Sequence, residues 1–182
     1  FRRVLFRSKI LGGRKMKEHL EAQLSTLEMY PVSAKKGKIC KGKPRFKQLA
    51  ERKRLILLIG LEDCKKVRKF EAKKNVWKID YSDIAVEVQG DEAIDDWKEF
   101  KKETNNLFYR RVKIALGKGV AVVEKNFRNL ETRIGFLEVA SLSGNIEAIL
   151  IVNKRLLKKD SYLQQQYAKG LLQIGVDKVY FI

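Results

Sequence analysis

The sequence predicts one α/β domain in which helices pack on the faces of a β-sheet. Short apolar runs at Val120–Val123 and Ile146–Val152 are typical of strands that are buried on both sides. From Asp95 to the end of the chain, such runs alternate with segments that carry hydrophobic residues at helical spacing. This alternation favours a sheet with parallel strands and helices on its faces. At 182 residues, the chain is long enough to bury a substantial core.

The individual elements follow from spacing, caps and breakers. Met16, Leu20, Leu24 and Leu27 predict a first helix, and Phe46, Leu49, Ile56 and Leu57 predict a second one that ends at Gly60. The later elements are strands at 76–80 and 84–89 joined by a turn at 81–83, a helix from Asp95 to Gly117, the strand 120–123, a helix from Leu130 to Gly144, the strand 146–152, a helix capped by Asp160 or Ser161, and a strand at 176–182.

The domain boundaries follow from composition. Residues 1–8 resemble the translation of a sequencing-adapter end, which predicts that they are not part of the natural protein and that it starts at Met16. Residues 9–45 are predicted to form the first helix and a basic loop. Residues 46–182 are predicted to form the α/β domain.

Positive charge dominates the composition, with a net charge of +18 from 40 Lys and Arg against 22 Asp and Glu. Residues 1–80 carry 24 of the basic residues but only 8 of the acids, so the excess lies in the first half. A charge of this size predicts a polyanionic partner, most simply nucleic acid.

Several classes of protein are disfavoured by the remaining composition. No apolar run approaches the roughly 20 residues that a membrane-spanning helix needs. Cys40 and Cys64 are too few for a disulfide framework, which predicts a cytoplasmic protein. His19 is the sole histidine, so catalytic triads built on histidine and multi-histidine metal sites are excluded.

The basic residues are densest between positions 35 and 54. This segment is either a solvated arm or a surface that follows a phosphate backbone, in which case its affinity falls steeply with salt. Gly37, Gly42 and Pro44 indicate that its first part is a loop. The predicted nucleic-acid-binding residues are Lys35, Lys36, Lys38, Lys41, Lys43, Arg45, Lys47, Arg52, Lys53 and Arg54.

The predicted hairpin at 76–89 carries the residues best suited to chemistry. Asp80 ends its first strand, and Glu87 and Gln89 share one face of its second strand because residues two apart point the same way. Two carboxylates and an amide oxygen around one cavity suit Mg²⁺, which can polarise a phosphodiester. A hairpin with polar residues on its solvent face is the alternative interpretation.

This stretch resembles the PD-(D/E)xK nuclease superfamily, whose motif is an Asp on one strand and (Asp/Glu)-x-Lys on the next. The resemblance covers about residues 46–123 and implies a restriction-endonuclease-like mixed sheet flanked by helices. It implies that Asp80 and Glu87 bind Mg²⁺, with Glu51 as a further acid, and that Gln89 positions the attacking water. Gln89 replaces the motif Lys, and the spacing from Asp80 to Glu87 is short.

The resulting expectation is a Mg²⁺-dependent endonuclease acting on double-stranded DNA, and a homodimer is compatible with it. A second register, with a hairpin at 113–126 that ends in Glu124 and Asn126, lacks the upstream acid and would give a protein that only binds. The alternative function is therefore a non-catalytic nucleic-acid-binding protein that uses the segment from Lys35 to Arg54.

Overall fold

A computed structural model describes residues 30–91, 96–144 and 146–182. Strands and helices alternate along this part of the chain, with two short 3₁₀ helices at Pro31–Ala34 and Leu171–Gln173. In chain order the elements are β1 (Lys38–Ile39), α1 (Phe46–Leu49), β2 (Arg54–Ile59), α2 (Lys65–Glu71), β3 (Val76–Asp80), α3 (Tyr81–Asp91), α4 (Trp97–Lys118), β4 (Val120–Glu124), α5 (Leu130–Leu142), β5 (Glu147–Val152), α6 (Lys154–Lys159), α7 (Ser161–Ala168) and β6 (Lys178–Phe181).

The six strands form one open sheet in the order β1-β6-β5-β2-β4-β3. Every neighbouring pair is parallel, so the predicted α/β class with helices flanking the sheet is confirmed. Parallel strands need a crossover connection between them, and here helices supply the crossovers from β2 onward. All amino ends of the strands therefore lie at one edge of the sheet, and all carboxyl ends lie at the other.

Two apolar layers hold the sheet between its helices. On one side, which we call face A, side chains such as Leu55 and Leu57 pack against α4, α5 and α7. On the other side, face B, Ile56 and Leu58 pack against α1 and α2. The alternation within β2 places a hydrophobic residue on each face in turn, and this is why the strand reads as a continuous apolar run.

The predicted helix at 46–59 is wrong beyond its first turn. Helix α1 ends at Leu49, and β2 begins at Arg54. The run from Leu55 to Ile59 is buried on both faces at the centre of the sheet, where branched side chains fit a strand. The length of this apolar run is compatible with a helix or a strand, and its burial at the centre of the sheet determines that it is a strand.

The predicted hairpin at 76–89 is also wrong in its second half, because residues 81–91 form α3. The Asp80 carboxylate accepts a hydrogen bond from the Ser82 backbone N–H at 2.7 Å, as the capping residue of a helix does. Tyr81, Ile84 and Val88 then lie on one helical face and pack into the face A core. This helical spacing outweighs the apparent alternation of the Ile84–Gln89 segment.

Other predicted elements occur close to their expected positions. The strands at 76–80, 120–123 and 146–152 and the helices that start near Leu130 and Asp160 are confirmed. The long helix α4 is capped by Asp96 and continues to Lys118. Because residues 113–117 belong to that helix, the second hairpin register is excluded.

The predicted boundary at residue 46 lies inside the folded region. Lys38 and Ile39 form β1 and pair with Lys178 and Val179 of β6, so the basic segment contributes the edge strand of the sheet. The first eight residues, the helix at 16–27 and His19 lie outside the described residues. None of the described helices is long and apolar enough to cross a bilayer.

Candidate functional site

Two concave regions lie at opposite edges of the sheet. The first, which we call the strand-end cleft, is a cavity of about 550 Å³ beyond the carboxyl ends of β2, β3, β4 and β5. In parallel α/β sheets, ligands bind outside the carboxyl ends of the strands. The cleft is lined by Ile59, Gly60, Glu62, Asp80, Ser82, Glu124, Lys125, Asn126, Phe127, Arg128, Asn153 and Leu156.

Acidic and basic groups meet on the face B side of this cleft. Asp80 and Glu124 are register partners at the ends of β3 and β4, and Lys78 lies two residues before Asp80 on the same face. The Lys78 ammonium nitrogen lies 3.3 Å from Glu124 Oε2 and 3.9 Å from Asp80 Oδ2. Glu71 approaches the group from α2, so three carboxylates surround one lysine.

Glu124 is only 7% exposed, and its pKa is raised to about 7. Burial is the largest cause; a hydrogen bond with Glu71 and the negative charge of Glu71 also raise the pKa, and Lys78 lowers it. Burial lowers the pKa of Lys78, but the surrounding carboxylates outweigh this effect, so the pKa of Lys78 lies above its usual value. Glu124 is consequently close to half-protonated at neutral pH.

Lys125 lies next to Glu124 but in a different environment. Its ammonium nitrogen is 4.2 Å from the centre of the Tyr81 ring and 3.5 Å from the Asn105 side-chain oxygen. Burial lowers the pKa of Lys125, and the positive charge of Lys101 adds to this effect. Among the ion pairs of the described residues, none includes Lys125. The cleft therefore contains a partly desolvated cation that the ring faces stabilise.

The residues of the predicted nuclease site are not brought together. Asp80 lines the cleft, but Glu87 and Gln89 lie on α3 and are exposed. Seven residues along a helix separate Glu87 from Asp80 by about 10 Å of rise. Glu87 instead forms a two-point ion pair with Arg111 of α4, at 2.5 and 2.7 Å. Its carboxylate is thus engaged in holding two helices together.

The predicted Mg²⁺ site does not fit this arrangement. Glu51 precedes β2 and lies at the amino edge of the sheet, whereas Asp80 ends β3 at the carboxyl edge. Within the described ranges, no group of three or more His, Cys, Asp and Glu side chains has the geometry to hold a metal ion.

The second concave region, which we call the basic groove, lies at the amino edge of the sheet. It has a volume of about 640 Å³ and lies between the basic segment and strands β1 and β6. Among the described residues, its lining includes five exposed or half-buried cations and no carboxylate. The lining residues are Lys38, Ile39, Cys40, Lys41, Lys43, Arg45, Gln48, Leu49, Arg54, Lys178 and Tyr180.

Not every predicted basic residue is available to a ligand. Arg54 is only 6% exposed; it donates to the backbone oxygens of Gln48 and Leu49 and to the Glu147 carboxylate. Lys35 forms an ion pair with Asp177 at 2.5 Å. Arg54 thus stabilises the fold. The predicted residues that line the groove and are exposed are Lys38, Lys41, Lys43 and Arg45. Those that are exposed but lie outside its lining are Lys36, Lys47, Arg52 and Lys53.

Glu147 lies behind the groove and is already neutralised. Burial would raise its pKa, but hydrogen bonds from Lys178 and Arg54 outweigh burial and lower the pKa of Glu147 below its usual value. Lys178 Nζ lies 2.6 Å from Glu147 Oε1, and Arg54 Nε lies 2.5 Å from Glu147 Oε2. One carboxylate therefore balances two cations, and the local charge stays positive.

Some site residues could not be found from the sequence. Lys178 and Tyr180 are more than 120 positions beyond the basic segment, and only the parallel pairing of β1 with β6 brings them to the groove. Lys125 and Arg128 could have been predicted from the sequence as ligand-binding residues, because they follow the carboxyl end of the buried strand β4.

Comparisons with known proteins show similarity in fold alone. No family model matches the sequence, and no curated protein matches it significantly. One similar solved structure is a candidate kinase from Chloroflexus aurantiacus, with 10% identity and a TM-score of 0.46 over 72% of this chain and 86% of that one. Another comes from the PezAT chromosomal toxin–antitoxin system of Streptococcus pneumoniae, with 14% identity and a TM-score of 0.44 over 88% of this chain and 71% of that one. The similarity extends no further than an α/β fold.

Proposed function

We propose that this protein binds nucleic acid without cleaving it, through the basic groove. The observation that carries the proposal is the lining of the groove. It contains Lys38, Lys41, Lys43, Arg45 and Lys178, and none of the described residues that line it is a carboxylate. Lysine and arginine side chains spaced along a groove are suited to contacts with successive phosphates.

The sources of the cations support a polyanion rather than a small anion. Four of them come from the segment 38–45 and the fifth from β6, where Lys178 is the register partner of Lys38, so the charges are spread over two strands and the loop that follows β1. Among the described residues, Lys178 pairs only with Glu147, which also pairs with Arg54. A chain of phosphates can satisfy such distributed charges, whereas a single phosphate reaches only two or three of them.

Double-stranded DNA is the form that these contacts favour. Proteins that bind single strands offer aromatic side chains on which bases stack. Tyr180 is the only aromatic residue in the described lining of the groove, and it also packs into the face B core. Recognition through phosphates alone suits a duplex, whose two backbones present a regular array of charge.

The nuclease expectation is not part of this proposal. It stays a prediction. The placement of Asp80, Glu87 and Gln89 on two elements, and the ion pair of Glu87 with Arg111, do not support it. Conversion of supercoiled plasmid to a nicked form in Mg²⁺, lost in Glu87→Ala, would support the nuclease expectation.

Fluorescence anisotropy with a labelled 20-base-pair duplex tests the proposed binding. The double variant Lys41→Glu, Lys43→Glu should bind at least tenfold more weakly than the wild type. The matched control is Lys158→Glu, Lys159→Glu, which changes the charge equally at exposed positions on α6. Equal losses in both variants would show that total charge, rather than the groove, determines binding.

A further inference from the structure

We infer that the strand-end cleft binds a small molecule bearing a single phosphate group, with Lys125 and Arg128 as its anion-binding residues. This site is separate from the basic groove, because the cleft lies beyond the carboxyl ends of the strands and the groove lies at their amino edge. The inference therefore does not depend on nucleic-acid binding.

The topology places a crevice at this position. The connection after β2 passes through α2, which packs on face B, while the connections after β4 and β5 pass through α5 and α7, which pack on face A. Loops that leave neighbouring strands toward opposite faces open a gap between them, and ligands of α/β sheets bind in such gaps. Residues from all three of these strand ends line the cleft.

Lys125 is the cation in this crevice that pairs with no carboxylate among the described residues. Its ammonium lies against Tyr81 and in reach of the Phe108 and Phe136 rings, 5.8 and 5.7 Å from their centres. These rings reduce its contact with water but supply no full negative charge. A partly desolvated ammonium without a carboxylate partner gains most from an anionic ligand.

Arg128 lies three residues further along the same loop and also lines the cleft. Its guanidinium pairs with Asp160, and its Nε has no hydrogen-bond partner in the described structure. The Asp160 carboxylate also accepts the backbone N–H groups of Tyr162 and Leu163 at the start of α7. Arg128 therefore shares its partner with a helix cap, and its side chain, which is 44% exposed, is accessible to a ligand in the cleft.

The acids of the cleft limit how much negative charge it accepts. Glu62, Asp80 and Glu124 line the same cavity as the two cations. The loop after β2 reads Gly60-Leu61-Glu62-Asp63-Cys64-Lys65 and lacks the second glycine of a polyphosphate-binding loop. A triphosphate would meet carboxylates where such a loop offers backbone N–H groups. A single phosphate, with the rest of the ligand near the Asn126 and Asn153 amides, fits the charges better.

Backbone amide NMR during titration with inorganic phosphate tests this site at constant ionic strength. We expect saturable shifts at residues 124–128 in the wild type and in Lys41→Glu, Lys43→Glu, in which the basic groove is impaired. Lys125→Met should weaken binding at least tenfold, whereas Lys101→Met, a change at a nearby exposed lysine, should leave it within about twofold.

A conservative variant separates the charge of Lys125 from its packing. Lys125→Arg keeps the cation and should retain binding within a few-fold, and its folding is checked by thermal melting. Shifts confined to residues 38–45, or equal affinity in wild type and Lys125→Met, would overturn the inference. Binding of triphosphate tighter than phosphate at residues 124–128 would also contradict it.

Discussion

Arg54 shows how one basic residue differs from its neighbours in the same charged segment. Its buried guanidinium donates hydrogen bonds to two backbone oxygens at the end of α1 and forms one of the two ion pairs of Glu147. Lys53 is adjacent in the sequence but exposed. Both residues add one positive charge to the sequence. Only Arg54 belongs to β2, and its side chain is buried.

We predict that Arg54→Ala lowers the free energy of unfolding by about 3 kcal/mol, because it leaves buried oxygens without their donor. Urea denaturation followed by circular dichroism measures this change. Lys53→Ala is the control and should alter stability by no more than about 0.5 kcal/mol. Similar denaturation midpoints for the two variants would contradict the structural role of Arg54.

Glu124 is the second residue whose chemistry is set by its surroundings. Burial holds its pKa at about 7 in the folded protein, above the ordinary value of 4.5. Between these values the unfolded chain releases the proton that the folded chain keeps, so stability should fall as the pH rises from 4.5 to 7. Glu71, Lys78 and Asp80 are the charged groups that face it.

We predict that Glu124→Gln removes this part of the pH dependence. The variant should match the wild type near pH 4.5 and exceed it at pH 8 by an amount on the order of 2 kcal/mol, because no buried charge then forms. Thermal and urea unfolding at several pH values measure the difference. A stability gap between the two proteins that stays constant from pH 4.5 to 8 would contradict the raised pKa.

At the scale of elements, the junction between α4 and β4 depends on a close backbone approach. A Cβ atom at Gly119 would lie 2.5 Å from the Asn75 backbone oxygen and 2.8 Å from the Trp77 ring. At Gly117, two residues earlier on the helix, an added Cβ would meet no atom within 4 Å. The sequence predicts that the helix ends at Gly117, whereas in the structure it continues to Lys118 and Gly119 is its C-cap.

We predict opposite effects for alanine at these two glycines. Gly119→Ala should destabilise the protein by about 1–3 kcal/mol, because backbone must move to admit the new methyl group. Gly117→Ala should stabilise it by about 0.5–1 kcal/mol, because alanine favours a helix more than glycine does. Melting temperatures of the two variants provide the comparison, and a loss of stability at both positions would contradict it.

The elements also show where sequence reasoning succeeds and where it fails. The strands β4 and β5 were predictable because a run of buried, branched residues between helices has few other solutions. The sequence predicts a strand at 84–89 because branched residues occupy every second position of this segment, but the segment is helical. The competing signals were the cap at Asp80 and the spacing of Tyr81, Ile84 and Val88. Because this segment is a helix, Glu87 and Gln89 lie away from Asp80, while Glu51 is separated from Asp80 because it precedes β2.

At the scale of the whole molecule, the parallel sheet separates two kinds of surface. Its amino edge carries the basic groove, and its carboxyl edge carries the cleft in which acids and cations are mixed. The sequence predicts the concentration of positive charge upstream of residue 80, but it does not predict that β6 contributes Lys178 and Tyr180 to the groove. That pairing joins residues far apart in the chain and has no local signal.

The salt dependence of duplex binding tests the proposed groove most directly. For each phosphate contact, the logarithm of the affinity is expected to change with that of the salt concentration by a slope of about −0.9. We predict that Lys41→Gln, Lys43→Gln, Arg45→Gln reduces the magnitude of the slope by about 2–3 relative to the wild type. An unchanged slope, or a wild type that does not bind duplex DNA at low salt, would contradict the account.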